Sequence, residues 1–227
     1  KGDRIGLLFK NCLECAISMF GIIRAGAIVV LLNNKMKSAE IKYQLENSGS
    51  IMLITEEENY GPTIAPIKDE IRCRLFVVLG EQMPGTIPFA KLVEKDVAEL
   101  VSVPVDEEDT AWIIYTSGTT GKPKGVIVNY RQLEAPPKAM EYFVELSGED
   151  IALCALPFSH LGGLIYIQGC LVYSLTFVLM ERFIPAEFLK IVQERRITCF
   201  WIVPSMYYAL LQLKEFESFD LSSLRWV

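Results

Sequence analysis

Four short stretches in the first eighty residues, 4–9, 27–32, 51–55 and 75–79, run almost unbroken in apolar residues. A strand with one face in water alternates apolar and polar side chains, whereas a strand covered on both faces need not. Between the first two stretches, Leu13, Ala16, Ile17, Phe20 and Ile23 recur at the spacing of an amphipathic helix, and Gly26 stands where a helix C-cap belongs. Ser38 is expected to cap a second helix, with Glu40 in its first turn, Ile41 and Leu45 facing inward and Gly49 ending it. A helix or irregular piece around 64–71 precedes the fourth stretch. Doubly covered strands separated by helices predict an α/β fold, a largely parallel sheet with helices on both faces. Pro84, Gly85, Pro88 and Pro104 then mark loops, and no internal repeat or low-complexity segment interrupts the chain.

A second apolar run, from Ala111 to Tyr115, stops at Thr116-Ser117-Gly118-Thr119-Thr120-Gly121-Lys122-Pro123-Lys124-Gly125 and resumes at Val126-Ile127-Val128. Four hydroxyl side chains, three glycines and two lysines occupy those ten positions. Such a loop offers backbone N–H groups, O–H donors and ammonium charge to one polyanion, and glycine lets the backbone take positive φ and approach closely. A polyphosphate is the simplest ligand that fits, although hydroxyls, glycines and lysines also serve an ordinary surface turn. The common P-loop wants four residues between its glycines and a helix after the lysine. Here two residues separate Gly118 from Gly121, Pro123 follows Lys122, and the continuation reads as a strand. Strand–loop–strand is therefore the expected setting.

The net charge of −6 argues against a nucleic-acid partner or an anionic membrane surface, both of which call for a basic patch. The acidic runs Glu56-Glu57-Glu58 and Asp106-Glu107-Glu108-Asp109 read as solvated loops without EF-hand spacing, and no metal site is assigned. Six cysteines, at 12, 15, 73, 154, 170 and 199, lie mostly inside apolar runs. Cys12-x-x-Cys15 has no second pair or nearby histidine to complete a zinc site, so core thiols in a reducing cytoplasm are expected. Residues 151–180 carry no Asp, Glu, Lys or Arg, which on length alone would span a bilayer. Pro157, His160 and Gly162-Gly163 interrupt the run, and a buried strand–turn–helix–strand, opening with a strand at 153–157, explains it better. Further on, Pro136-Pro137 is expected to break a helix, leaving one at about 138–146. Pro185 should start an amphipathic helix ending at Arg195-Arg196, followed by a strand at 197–203, a helix at 206–213 and a last strand at 225–227.

The run Tyr115-Thr116-Ser117-Gly118-Thr119-Thr120-Gly121-Lys122-Pro123-Lys124-Gly125 resembles the phosphate-loop signature of the adenylate-forming (AMP-binding) superfamily, which includes acyl- and aryl-CoA synthetases, peptide-synthetase adenylation domains and luciferases. Gly2-Asp3-Arg4-Ile5 and Gly21-Ile22-Ile23-Arg24-Ala25-Gly26-Ala27 extend the likeness towards the beginning of the chain. Leu156-Pro157-Phe158-Ser159-His160-Leu161-Gly162-Gly163 resembles the Leu-Pro-x-x-His-x-x-Gly segment of the CoA ligases rather than the Phe-Asp-x-Ser of peptide-synthetase domains. Val203-Pro204-Ser205 and its apolar continuation match as well. Leu31 stands where relatives typically carry proline, and Tyr130 where they usually carry histidine.

The resemblance implies part of the large N-terminal domain of such an enzyme, residues 1–103 forming a first βα part and 104–227 the phosphate loop and acyl-pocket part. It implies an acid–CoA ligase, most like those acting on long-chain fatty or other hydrophobic acids, with ATP, Mg2+ and CoA as co-reactants. Thr116, Ser117, Gly118, Thr119, Thr120, Gly121 and Lys124 would hold the nucleotide phosphates, and His160 would line the carboxylic-acid pocket. The family's adenine-binding segment, magnesium glutamate, ribose aspartate, hinge and C-terminal catalytic lysine have no counterpart here. The chain therefore reads as a fragment, without catalytic residues of its own and inactive alone. An adenylating enzyme that loads a carrier protein, or a nucleotide-binding module without turnover, would share the same segments.

Overall fold

The computed structural model describes residues 1–94, 103–116, 121–140 and 144–227, the side chains of 138–140 excepted. The chain forms two compact units, Lys1–Phe9 with Leu13–Leu133, and Lys10–Cys12 with Glu134–Val227.

The first unit holds a seven-stranded sheet. Its elements in chain order are β1 (Arg4–Phe9), α1 (Leu13–Arg24), β2 (Ile28–Asn33), α2 (Ser38–Ser48), β3 (Met52–Glu56), a single turn α3 (Glu57–Asn59) and β4 (Leu75–Leu79). Then come β5 (Ile87–Pro88), a short α4 (Ala90–Val93), β6 (Thr110–Thr116), β7 (Lys124–Asn129) and α5 (Tyr130–Met140), which runs on into the second unit. The strand order is β5-β4-β3-β1-β2-β6-β7, and every neighbouring pair is parallel except β6 with β7. The α/β reading, mostly parallel with helices on both faces, therefore holds. From β1 the chain moves outward to β2, then back across to β3. Right-handed crossovers in those opposite directions put α1 and α2 on opposite faces.

On the α2 face, Leu8, Val30, Leu32, Leu53, Phe76 and Val78, alternate residues of their strands, pack with Ile41 and Leu45. Full burial of one such leucine contributes about 2 kcal/mol. Gly6 keeps this face flat, since a Cβ there would come 3.0 Å from both Leu45 Cδ2 and Leu53 Cδ1. Leu31 is a buried packing residue of a central strand, opposite Leu7 on one side and Ile114 on the other.

Both predicted helix ends form. After α1 and after α2 the chain turns through Gly26 (φ 68°) and Gly49 (φ 67°), and each end closes with the paired hydrogen bonds of a Schellman motif: Ala27 N–H to Ile22 O and Gly26 N–H to Ile23 O, then Ser50 N–H to Leu45 O and Gly49 N–H to Glu46 O. Ser38 is not the cap. Lys37 holds that position and Ser38 is the first helical residue: the Glu40 carboxylate reaches back to accept from the Lys37 N–H (2.9 Å), and the Glu40 and Ile41 N–H groups meet Lys37 O (3.0 and 3.1 Å). The stretch 64–71 resolves into irregular turns ending in a 3-10 turn at Lys68–Glu70.

The second unit opens its sheet with β8 (Ile151–Cys154), crosses through α6 (Leu161–Val172) to the parallel β9 (Thr176–Leu179), and adds α7 (Pro185–Glu194) and α8 (Pro204–Leu211). The strand–turn–helix–strand expected over the charge-free run forms, with its first strand two residues earlier than read. No helix among the described residues is long and apolar enough to cross a membrane. Phe188 is fully buried between Phe183 and Phe200, meeting the latter edge-on at 4.9 Å.

Three expectations fail here. Residues 197–203 form no strand; Cys199 alone bridges Ala152 and Trp226, and the end of the chain adds only that bridge. The backbone groups of this segment make only a partial ladder. Thr198 N–H and Cys199 N–H both meet Ile151 O, Trp201 N–H donates to the Tyr166 phenol oxygen (2.8 Å), and the Ile151 N–H is taken by Thr198 Oγ1 rather than by a backbone carbonyl. Nor do the two prolines stop α5, which runs through Pro136 and Pro137 to Met140. The Tyr173 hydroxyl donates to Pro137 O at 2.7 Å, a tertiary anchor that offsets part of the missing backbone bonding.

Candidate functional site

β6 and β7 pair antiparallel, with Tyr115 opposite Gly125 and Thr116 opposite Lys124. The stretch rich in glycine, hydroxyls and lysine is thus the connection of a strand–loop–strand, as its sequence predicts. Thr116 is the last residue of β6 and Lys124 the first of β7, both exposed and directly across from one another at the mouth. Gly121 takes φ 90°, a backbone state that disfavours any side chain. Ser117, Gly118, Thr119 and Thr120 lie outside the described residues. Lys124 is exposed, and no described carboxylate forms an ion pair with it.

The stem is built by side chains that sequence reasoning did not select. The Tyr115 ring crosses β7 where Gly125 has no side chain; a Cβ there would approach Tyr115 Cζ to 3.3 Å and Ile113 Cγ2 to 3.0 Å. The Tyr115 hydroxyl then donates into α2, to Gln44 O (3.1 Å) and Asn47 Oδ1 (2.8 Å). From α2 in turn, the Tyr43 hydroxyl donates to Pro123 O at 3.1 Å. Burial pushes the Tyr115 phenol up to about 12, with a smaller contribution from neighbouring Tyr43, against a lowering by the Ser48 hydroxyl. It therefore stays a donor throughout the neutral range. Tyr130 opens α5 and donates from its hydroxyl to Ile23 O at 3.2 Å. Burial raises its phenol as well, helped by Asp109.

In the second unit His160 is the N-cap residue of α6 and its side chain is exposed. Its N–H closes a turn onto Pro157 O (3.1 Å) and its carbonyl accepts from Leu164 N–H (3.3 Å). The spacing of Leu156-Pro157-Phe158-Ser159-His160-Leu161-Gly162-Gly163 now has a geometric reason. A Cβ on Gly163 would sit 2.4 Å from Pro157 O, so glycine allows the first turn of α6 to lie on the proline peptide. Phe158 is buried and stacks on Phe177, with centroids 6.2 Å apart.

The residue that holds this turn is Asn11, which sequence reasoning passed over. Its buried amide donates to Leu156 O (2.9 Å) and Met180 O (3.1 Å), and its Oδ1 accepts from Phe158 N–H (2.9 Å). One side chain thus satisfies three backbone groups on either side of Pro157 and at the end of β9.

None of the six cysteines forms a disulfide, and all but Cys12 are buried. Among the described residues no three His, Cys, Asp or Glu side chains gather in a metal-sized cluster. These described residues supply no carboxylate cage for magnesium.

The family model of the AMP-binding enzymes matches residues 1–227. The long-chain-fatty-acid–CoA ligase of Bacillus subtilis (strain 168) is 31% identical over 258 residues, covering 99% of this chain and 45% of its own length. 4-coumarate–CoA ligase 2 of Petroselinum crispum is 29% identical over 232 residues, covering 100% of this chain and 42% of its own. Among solved structures, the anthranilate CoA ligase AuaEII in complex with anthranoyl-AMP superposes with a TM-score of 0.89 at 28% identity, over 99% of this chain and 44% of that one. The chain therefore spans less than half the length of these three relatives. With a family match over every residue, on a parallel sheet whose β6–β7 loop carries the phosphate signature, the chain belongs to the AMP-binding enzyme family.

Proposed function

We propose that the full-length protein is an ATP-dependent acid–CoA ligase. A carboxylate oxygen attacks the α-phosphorus of ATP, the bond to pyrophosphate breaks, and acyl-AMP forms. The CoA thiolate then attacks the acyl carbonyl and AMP leaves with its oxygen. The observation that carries this reading is the mouth between β6 and β7, where Thr116 and Lys124 face each other beside Gly121 at positive φ, within a chain matched throughout by the family. Lys124 supplies the charge opposite the phosphates, Thr116, Ser117, Thr119 and Thr120 the hydroxyl donors, and Gly118 and Gly121 the backbone amides. His160, capping α6 with its ring exposed, lines the acid pocket and orients the carboxylate.

The acid is a hydrophobic one, fatty or aromatic. CoA ligases for fatty and coumaric acids are both among the relatives, which supports the acid–CoA class without choosing between them. The test is carboxylate-dependent ATP–pyrophosphate exchange by the full-length protein with short, long and aromatic acids. Exchange with one acid class identifies the substrate. No exchange with any acid, from a folded protein, would leave a nucleotide-binding module. Lys124→Ala or Thr119→Ala is expected to slow exchange at least tenfold without unfolding the protein, in line with loss of a charged or hydroxyl contact to the phosphates. Unchanged exchange in both variants removes the loop from the mechanism.

A further inference from the structure

Two tyrosines hold the phosphate-loop stem from opposite sides. Tyr115, in β6, sends its hydroxyl into α2, to Gln44 O and Asn47 Oδ1. Tyr43, in α2, sends its hydroxyl out to Pro123 O, the residue before Lys124. The phenols thus tie the residue before Thr116 and the residue before Lys124 to adjacent turns of one helix. α2 is itself fixed, since Ile41 and Leu45 are fully buried against the sheet and Glu40 and Gly49 close its ends. Gly125 completes the arrangement by leaving space for the Tyr115 ring. Without the Tyr43 contact, Pro123 and the exposed β7 edge that follows it would lose a described link to the helix layer.

We infer that Tyr43 is a positioning residue for ATP: it holds the Pro123 carbonyl, and through it the Lys124 ammonium, at a set distance from Thr116. The inference rests on the ligase reading above for the identity of the anion. Neither tyrosine need touch the nucleotide. Tyr43→Phe removes one oxygen and little apolar contact, so its effect on folding is small, whereas the stem loses its tether.

The experiment uses the full-length protein and measures ATP affinity by equilibrium dialysis alongside the KM for ATP and for the acid in pyrophosphate exchange. Tyr43→Phe is expected to weaken ATP binding and raise its KM about three- to tenfold, the worth of one hydrogen bond, with the acid KM and the melting temperature nearly unchanged. Tyr115→Phe should act in the same direction, and the double variant should lose less than the product of the two, because both act on one stem. Unchanged ATP affinity in Tyr43→Phe overturns the inference. Equal changes in ATP and acid KM with a fallen melting temperature overturn it too, by making the contact merely structural. If the wild type binds ATP but exchanges with no acid, the ligase reading fails and the dialysis still decides the role of Tyr43. If the wild type binds no ATP, both fail.

Discussion

Asn11 shows how much can depend on one amide. Its three hydrogen bonds go to Leu156 O, Met180 O and Phe158 N–H, and the side chain is buried. Asn11→Ala would strand those backbone groups away from water, and in the full-length protein it is expected to cost about 2–4 kcal/mol in chemical denaturation. Asn11→Asp keeps the acceptor for Phe158 but loses both donors and sets a carboxylate against two carbonyls, so it should be no milder. An alanine variant within 0.5 kcal/mol of wild type, as an order-of-magnitude bound, would show that water replaces the amide. Nothing near Asn11 in the sequence announces this role. An asparagine just after a strand reads as a turn residue, and its partners lie 145, 147 and 169 positions away. Tyr43 was hidden in the same way, half-buried on an amphipathic helix with its partner 80 positions on. The loop glycines and hydroxyls stand out in the sequence because their pattern is local; the side chains that tie its stem to α2 do not, because their contacts are tertiary.

At the scale of elements, the helix ends separate what sequence patterns can and cannot convey. Gly26 and Gly49 were readable because glycine is the residue that takes positive φ without strain. α6 ends by the same hydrogen-bond pattern, Leu175 N–H to Cys170 O and Ser174 N–H to Leu171 O, but with Ser174 at φ 55°. Ser174→Gly should relieve that strain and stabilise the protein by about 0.5–1 kcal/mol, measurable as a higher denaturation midpoint. The segment at 197–203 was misread for another reason. Its apolar residues follow a strand pattern, yet Thr198 and Tyr166 place side-chain oxygens where ladder partners would stand. Asp150 ties this segment to β8 and to the end of the chain, accepting from Thr198 Oγ1 (2.7 Å), Arg225 Nη1 (2.8 Å) and Ser147 N–H (3.0 Å). Burial alone would raise its pKa, but those donors outweigh it and hold the carboxyl below its ordinary value of 3.8. A lowered folded-state pKa contributes stability above the unfolded value that is lost as pH falls. Denaturation midpoints should therefore drop below about pH 4, and Asp150→Asn, already weakened at pH 7, should show a shallower drop.

Across the whole molecule, the apolar content is visible in the thiols. Burial pushes the Cys154 thiol up to about 12 and the Cys73 and Cys199 thiols up to about 11, and raises Cys170 as well. Thiolate is the reacting form, so these side chains should resist alkylation near neutral pH in the native protein. Brief iodoacetamide labelling followed by mass spectrometry is expected to modify Cys12 first, with the other five reacting only after unfolding. Early labelling of Cys154 or Cys170 would mean that the second unit opens readily. The division of the chain at Leu133–Glu134 falls inside α5, one turn before the paired prolines. Composition gives no sign of it there, because linker signals mark exposed chain and this boundary is helical.

Gly125 carries a last consequence, for how the loop can change over generations or in a library. The residue sits in the phosphate signature, yet its bareness serves the Tyr115 ring, which in turn leans on the helix that carries Tyr43. Positions 43, 115 and 125 should therefore drift as a set. A library that randomises only the loop would discard substitutions at 125 that become tolerable once 115 shrinks, and would mistake a packing rule for a rule of ligand chemistry.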